Sequence, residues 1–121
     1  MYPFTGTVHA LEPNKRVTLN LAKEGVPSDA YQVIVYATIE SGYNSRTPET
    51  TELEVSTTTF NGIIKRKLFC HVYDQGSLSY NSENISLPVA VGHTLNVIAL
   101  LNGPGGNDNF SGSVQIVSYS K

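Results

Sequence analysis

The chain has few of the residues that indicate disulfide bonds, charge-driven binding or membrane association. Cys70 is the single cysteine among 121 residues, so no disulfide can form within the chain. It lies in the apolar run 68–72, where we expect a buried thiol rather than a catalytic one. Charged residues make up 15% of the sequence, against about 25% in average globular proteins. The net charge of −2 gives no electrostatic reason to expect nucleic acid as a partner.

Long apolar runs are also missing. No stretch approaches the roughly 20 residues of a membrane-spanning helix, so we expect no membrane insertion. The first residues, Met1 to Thr5, lack the basic start and apolar stretch of a secretory signal. We therefore expect a cytoplasmic protein, or one released without a signal peptide.

Sequence motifs of common catalytic sites are not found. The sequence has no Gly-x-Ser-x-Gly elbow, no His-Glu-x-x-His and no Gly-x-x-x-x-Gly-Lys. Three histidines stand apart from one another, at His9, His71 and His93. Because nothing groups them with a nucleophile or a second base, we expect no enzymatic activity.

Two charged clusters have ordinary structural interpretations. Glu49, Glu52 and Glu54 place two carboxylates on one face of a strand, and we interpret them as a solvated edge. The basic run 65–67 lies within a strand-like segment, and we interpret it as a solvated face.

Alternation of apolar and polar residues with a period of two recurs along nearly the whole chain, and this pattern is typical of half-buried strands. It appears in eight segments: 4–10, 17–21, 31–39, 53–55, 63–73, 85–87, 95–101 and 112–118. Turn residues separate them, including Asn61-Gly62 as a hairpin turn, and the stretch 22–29 has room for one helical turn. The prediction is a single domain, 1–121, folded as an all-β, jelly-roll-like antiparallel β-sandwich of about eight to nine strands.

Two loops are longer and more polar than a connection requires, at 41–51 and 102–111. The second contains Asn107-Asp108-Asn109, with Asn102 across a glycine-rich turn. Such a density of oxygen atoms matches the ligands of calcium. It also matches sugar hydroxyls, which need paired donors and acceptors, and it is equally found in a plain Asx-turn loop. Composition alone leaves the three readings open.

The segment 98–114 resembles the calcium-site segment of the small galactophilic bacterial lectins of the PA-I type. In that family a strand ends in Asn-Asp, and a Pro-Gly turn and an Asn-Asn-Ser-Gly-Ser run follow. The opening Phe4-Thr5-Gly6-Thr7-Val8 is similar to the family's aromatic-x-Gly-x-Val start, and Ser41-Gly42-Tyr43 lies near its first calcium loop. A weaker similarity joins His71-x-x-Asp74-Gln75-Gly76 to the family's sugar-contacting His-Pro-Asp-Gln-Gly. The resemblance covers about a third of the chain, at its two ends.

The resemblance implies a galactose-binding-domain-like sandwich that binds galactosides through calcium, as a dimer or tetramer. For a sugar site in these loops we expect Tyr43, Asn44, Asn107, Asp108, Asn109 and Phe110 as the binding residues, with Tyr43 or Phe110 stacked on a face of the sugar. The implied calcium ligands are Tyr43, Asn102, Gly106, Asp108 and Asn109.

The sequence departs from the family at two ligand positions. Asn102 stands where the family has a liganding aspartate, and Phe110 stands where it has a second asparagine. Asp108 restores the missing charge only if the loop is rearranged. Calcium affinity depends on the number of charged ligands, so these two positions weaken the expected site.

The sequence thus favours a carbohydrate-binding protein, with or without calcium, whose partner is a carbohydrate or glycoconjugate. The alternative is a structural or self-assembling β protein, such as a capsid, fibre or inclusion component, in which the Asn/Gly loop only connects two strands.

Overall fold

A computed structural model describes residues 1–42, 49–59, 62–72, 78–90, 94–102 and 109–121. This part of the chain forms nine strands and one short helix. In chain order they are β1 (Tyr2–Pro3), β2 (His9–Ala10), β3 (Val17–Asn20), α1 (Leu21–Glu24), β4 (Gln32–Gly42), β5 (Glu49–Thr59), β6 (Gly62–Val72), β7 (Leu78–Pro88), β8 (Thr94–Asn102) and β9 (Asn109–Ser120). Within these ranges, no helix is long and apolar enough to cross a membrane.

The strands form two antiparallel sheets that pack face to face. The first has the order β1-β9-β4-β7, with β2 also paired to β9, and the second has the order β3-β8-β5-β6. We call them sheet A and sheet B. Every connection between strands from β2 onward passes from one sheet to the other, except the β5–β6 hairpin. This order is that of a jelly roll, so the predicted fold class is confirmed.

The core lies between the sheets and consists of the inward-facing residues of both. Val33, Val35, Ala37 and Ile39 of β4 are fully buried, as the alternation predicted. The same holds for inward residues of β5, β8 and β9, among them Leu53, Val55, Leu95, Val97 and Val114. Cys70 is buried with them and belongs to the core cluster, which confirms its interpretation as a small apolar residue.

The N-terminal segment differs from the single strand expected over 4–10. Only β1 and β2 form ladders with β9, and the residues between them make isolated bonds, from Phe4 N to Val117 O (3.0 Å) and from Gly6 N to Ile116 O (3.1 Å). A Cβ atom at Gly6 would lie 2.6 Å from Ile116 O. Only glycine therefore allows this segment to approach β9 so closely.

The one helical turn predicted within 22–29 begins one residue earlier, at Leu21. Asn20 caps α1 by accepting a hydrogen bond from Lys23 N (3.2 Å), and Gly25 ends it with a φ of +94°. The β5–β6 hairpin is confirmed, and its register closes at Thr59 opposite Gly62. Gly62 therefore belongs to β6 and not to the turn predicted at Asn61-Gly62, and residues 60 and 61 lie outside the described ranges.

Strand β7 is longer than its sequence pattern indicated. The alternation predicted a strand only over 85–87, whereas β7 begins at Leu78. Its first half, Ser79 to Asn84, is polar on both faces, and among the described strands β7 pairs with β4 alone. Polar residues are tolerated on an edge strand. They also remove the apolar–polar alternation by which a strand is recognised in a sequence.

Candidate functional site

Both predicted loops, 41–51 and 102–111, are shorter than expected because the flanking strands extend into them. Their remaining connections begin and end at one end of the sandwich. In sheet A, Gly42 at the end of β4 is opposite Asn109 at the start of β9. In sheet B, Thr50 at the start of β5 is opposite Asn102 at the end of β8. The connections 43–48 and 103–108 therefore each join sheet A to sheet B at this end. We call it the loop end of the molecule.

A third connection, 73–77, leaves from the same end. Val72 at the end of β6 is opposite Glu49, and Leu78 at the start of β7 is opposite Gly42. This connection contains the Asp74-Gln75-Gly76 part of the weaker lectin similarity. Three of the four segments that resemble the lectin family are thus anchored on adjacent strand ends, whereas the fourth, the opening 4–8, lies along β9 away from this end.

The predicted site residues lie in different parts of this end. Asn102 is the last residue of β8, and Asn109 is the first residue of β9. The remaining predicted positions in these loops lie outside the described residues: Tyr43, Asn44, Gly106, Asn107 and Asp108. Their roles as sugar or calcium ligands stay predictions.

Phe110 has a position that its predicted role did not anticipate. It is half-buried, packs against the core cluster, and lies on the same face of β9 as Gly112 and Val114. A Cβ atom at Gly112 would lie 2.8 Å from the Phe110 ring. The ring thus covers Gly112 and the core beneath the loop end, a packing role, and its stacking on a sugar stays a prediction.

His71 is held in place on the outer face of sheet B at the loop end. Its Nδ1 lies 3.1 Å from the hydroxyl oxygen of Thr50, and its ring stacks on that of Phe69 with 6.2 Å between ring centroids and 3° between planes. Thr50 pairs with His71 on one side and with Asn102 on the other. A row of polar and aromatic groups therefore borders the loop end on this sheet.

Two buried hydroxyl groups lie on the inner faces below the loop end. Ser41 of β4 and Thr51 of β5 are 1% and 0% exposed, and neither hydroxyl has a hydrogen-bond partner among the described residues. Both break an apolar alternation, after Ile39 and before Leu53, and this signal was available in the sequence. They place two polar groups in the interior at the loop end, and Thr57, Ser118 and Ser120 are buried hydroxyl residues farther from it.

The acidic cluster has a different environment from the solvated edge predicted for it. Strand β5 lies between β6 and β8, so Glu52 and Glu54 are on an inner strand and are largely covered. Lys67 Nζ lies 2.7 Å from Glu52 Oε1, and Lys65 Nζ lies 3.5 Å from Glu54 Oε1. The hydrogen bond and charge of Glu52 raise the pKa of Lys67. These carboxylates are engaged in cross-strand ion pairs, while the basic run 65–67 is exposed as predicted.

Within the described ranges, no group of three or more His, Cys, Asp or Glu side chains is arranged to hold a metal ion. His9 contacts Glu24 of α1 instead, far from the loop end, and His93 lies outside those ranges.

Neither the protein-family models nor the curated proteins with which the sequence was compared match this chain.

Proposed function

We propose that this protein binds carbohydrates at the loop end of its jelly roll. The observation that carries the proposal is the strand register, which anchors the segments 41–44, 71–76 and 102–109 on neighbouring strand ends. These segments are distant in sequence, and they are three of the four that resemble the galactophilic lectins. Loops clustered at one end of a rigid sandwich are a common location for binding sites.

The polar residues of the loops supply the chemistry that a sugar requires. Asn44, Asn107, Asp108 and Asn109 offer amide donors and oxygen acceptors for neighbouring hydroxyl groups. Tyr43 provides an aromatic face for the C–H side of the sugar ring. His71 adds a ring nitrogen at the border, with its orientation restrained by Thr50 and Phe69.

The calcium ligands of the lectin family are only partly present in this chain. An amide replaces the liganding carboxylate at Asn102, and at Phe110 an aromatic ring that packs on the core replaces a liganding amide. The donor set is therefore short of one charge and one ligand. The proposal rests on direct contacts between sugar and protein, and calcium enters only as a variable of the test.

Multiple sites would be needed for useful affinity. A millimolar site contributes only about −4 kcal/mol, and presenting several sites in one assembly raises the avidity without new contacts. A symmetric dimer or tetramer that binds a glycoconjugate is the expected form.

The test is a glycan-array screen of the purified protein, followed by calorimetry with methyl β-galactoside, each with calcium and with excess chelator. We expect galactoside binding that Asp108→Ala and His71→Ala reduce about tenfold or more, since each removes a group in contact with the sugar. Asp29→Ala is the matched control, because Asp29 is an exposed carboxylate at the opposite end of the sandwich. Loss of binding with chelator would assign an ion to the loop end, and binding that survives chelation would exclude it.

If the folded protein bound none of the glycans, the proposal would be overturned and the structural alternative would be favoured. Sheet edges give some evidence against self-assembly by strand pairing, because β6, an edge strand among the described residues, carries Lys65 and Lys67. Charged residues on an edge strand oppose the addition of another strand.

A further inference from the structure

A cleft of about 560 Å³ opens between β6 and β7, away from the loop end. Each of these strands pairs with one neighbour in the described structure, β6 with β5 and β7 with β4. The two free edges are joined near the loop end, where Asn81 Nδ2 donates to Phe69 O at 2.8 Å. Farther from the loop end the cleft separates them. Its volume is in the range of about 300–1,000 Å³ that small-molecule sites occupy.

Two residues of opposite charge line the cleft from positions that face the core in the strand register. Arg66 of β6 is opposite Val55, and Glu83 of β7 is opposite Ala37. Both partners are fully buried on the inner faces of their sheets, and directly opposed residues share a face. A closed sandwich would have apolar side chains at these two positions, whereas here both side chains are exposed in the cleft.

Neither charge is neutralised by a partner in the described chain. Arg66 donates from Nη1 to the carbonyl of Lys65 at 3.1 Å, which leaves most of its donors available, and no ion pair involves Arg66 or Glu83. Lys67 also lines the cleft, but its ammonium group is engaged by Glu52 at 2.7 Å. Arg66 is therefore the cation available to a ligand.

The rest of the lining combines an aromatic ring with neutral polar groups. Tyr31 is 60% exposed, and Ile85 contributes apolar surface from the core. Gln32 and Ser86 are hydrogen-bonded to each other, so their donors and acceptors are held in a defined arrangement. Unlike a plain edge-protecting arginine, Arg66 thus belongs to a lined cavity with an opposite charge and an aromatic wall.

We propose that this cleft binds an acidic sugar unit, of the hexuronate or sialic acid type. The carboxylate pairs with the Arg66 guanidinium, whose parallel N–H groups match two carboxylate oxygens. Sugar hydroxyls donate to Glu83 and bond with Gln32, and the apolar side of the ring contacts Tyr31. That the ligand is a sugar, rather than another small carboxylate, rests on the proposed function. The cleft and its charges are observed independently of that function.

The test is an NMR titration of ¹⁵N-labelled protein with glucuronate, N-acetylneuraminate, methyl β-galactoside and acetate. We expect both acidic sugars to shift amide signals of β6, β7 and the start of β4. Arg66→Gln should weaken this binding about tenfold or more, and Glu83→Gln several-fold. Arg66→Lys keeps the charge but not the paired donors, so it should give an intermediate loss. Lys65→Gln is the matched control, because Lys65 is a neighbouring cation that contacts Glu54 instead.

The outcomes separate this proposal from that for the loop end. Arg66→Gln should leave galactoside binding unchanged, and Asp108→Ala should leave acidic-sugar binding unchanged. Absence of shifts at the cleft with both acidic sugars would overturn the inference, even if galactoside binds at the loop end. Acetate binding as tightly as the acidic sugars would overturn the assignment to a sugar, and equal affinities of Arg66→Gln and the parent chain would overturn the role of Arg66.

Discussion

The hydroxyl oxygen of Thr50 lies 3.1 Å from Nδ1 of His71, across the β5–β6 strand pair at the loop end. This bond restrains the rotation of the imidazole ring, and stacking on Phe69 restrains it further from one face. His71 is therefore presented in one orientation beside the loops in which we propose that sugar binds. Preorganised side chains bind with a smaller loss of conformational entropy.

Replacing Thr50 by valine keeps the shape of the side chain and removes its hydroxyl. We expect galactoside affinity to fall about three- to tenfold, which corresponds to the roughly 0.5–1.5 kcal/mol of one hydrogen bond. Calorimetry would measure it, with Thr58→Val as the control, since Thr58 is exposed at the other end of β5. Equal affinities of the two variants would show that His71 needs no support from Thr50.

Replacing Gly6 by alanine brings a methyl group to within 2.6 Å of Ile116 O. The N-terminal segment must then move away from β9, and we expect the free energy of unfolding to fall by about 1–3 kcal/mol. Urea denaturation would measure the change, and Thr7→Ala, at an exposed neighbouring position, should stay within about 0.5 kcal/mol of the parent. An unchanged midpoint for Gly6→Ala would mean that this close approach is not needed for stability.

Replacing Leu53 by alanine removes a fully buried side chain from an inner strand of sheet B. We expect the free energy of unfolding to fall by about 2–5 kcal/mol, because the variant loses the free energy of burying the side chain and also leaves a cavity. Ile63→Ala is the apolar control, since Ile63 is 63% exposed. Similar losses for both variants in thermal denaturation would contradict the assignment of the core.

Tyr36, on the outer face of sheet A, has a pKa below its ordinary value of 10.0 because the hydroxyl groups of Tyr80 and Ser82 donate to it. The lowered pKa adds stability that is present above the unfolded-state pKa and is lost as the pH falls through the folded-state pKa. Tyr80→Phe removes the larger contribution, so the pKa of Tyr36 should rise toward 10.0. A pH titration of ¹³C-labelled tyrosine would follow it, and an unchanged Tyr36 curve would contradict the bond.

Local patterns predicted most of the strands, but not the full length of β5 and β7. The faces of β4, β8 and β9 were evident because a strand buried on one side must alternate, and the buried residues Val35, Val97 and Val114 follow that alternation. The first half of β7 and both ends of β5 were missed because their residues are polar on both faces, so no alternation marks them. Glu52 and Glu54 were assigned to an edge because their lysine partners belong to another strand.

The candidate sites, too, were predictable from the sequence only in their local features. The polar loops could be recognised from the sequence, and so could the residues in them, because both are properties of a few adjacent positions. That Gly42 is opposite Asn109 while Thr50 is opposite Asn102 follows only from strand order. From the sequence, Arg66 was interpreted as part of a solvated basic run. Only the packing of β6 near β7 showed that it lines a cleft with Glu83.

Alternation, turn residues and composition determined by themselves that this chain forms a β-sandwich with polar loops, because backbone geometry imposes these patterns within each strand. Which strands pair, which edges stay open and which loops meet was decided by the tertiary structure. Those features depend on contacts between residues far apart in the chain, where shape and burial across two sheets select one arrangement among many that the same local patterns allow.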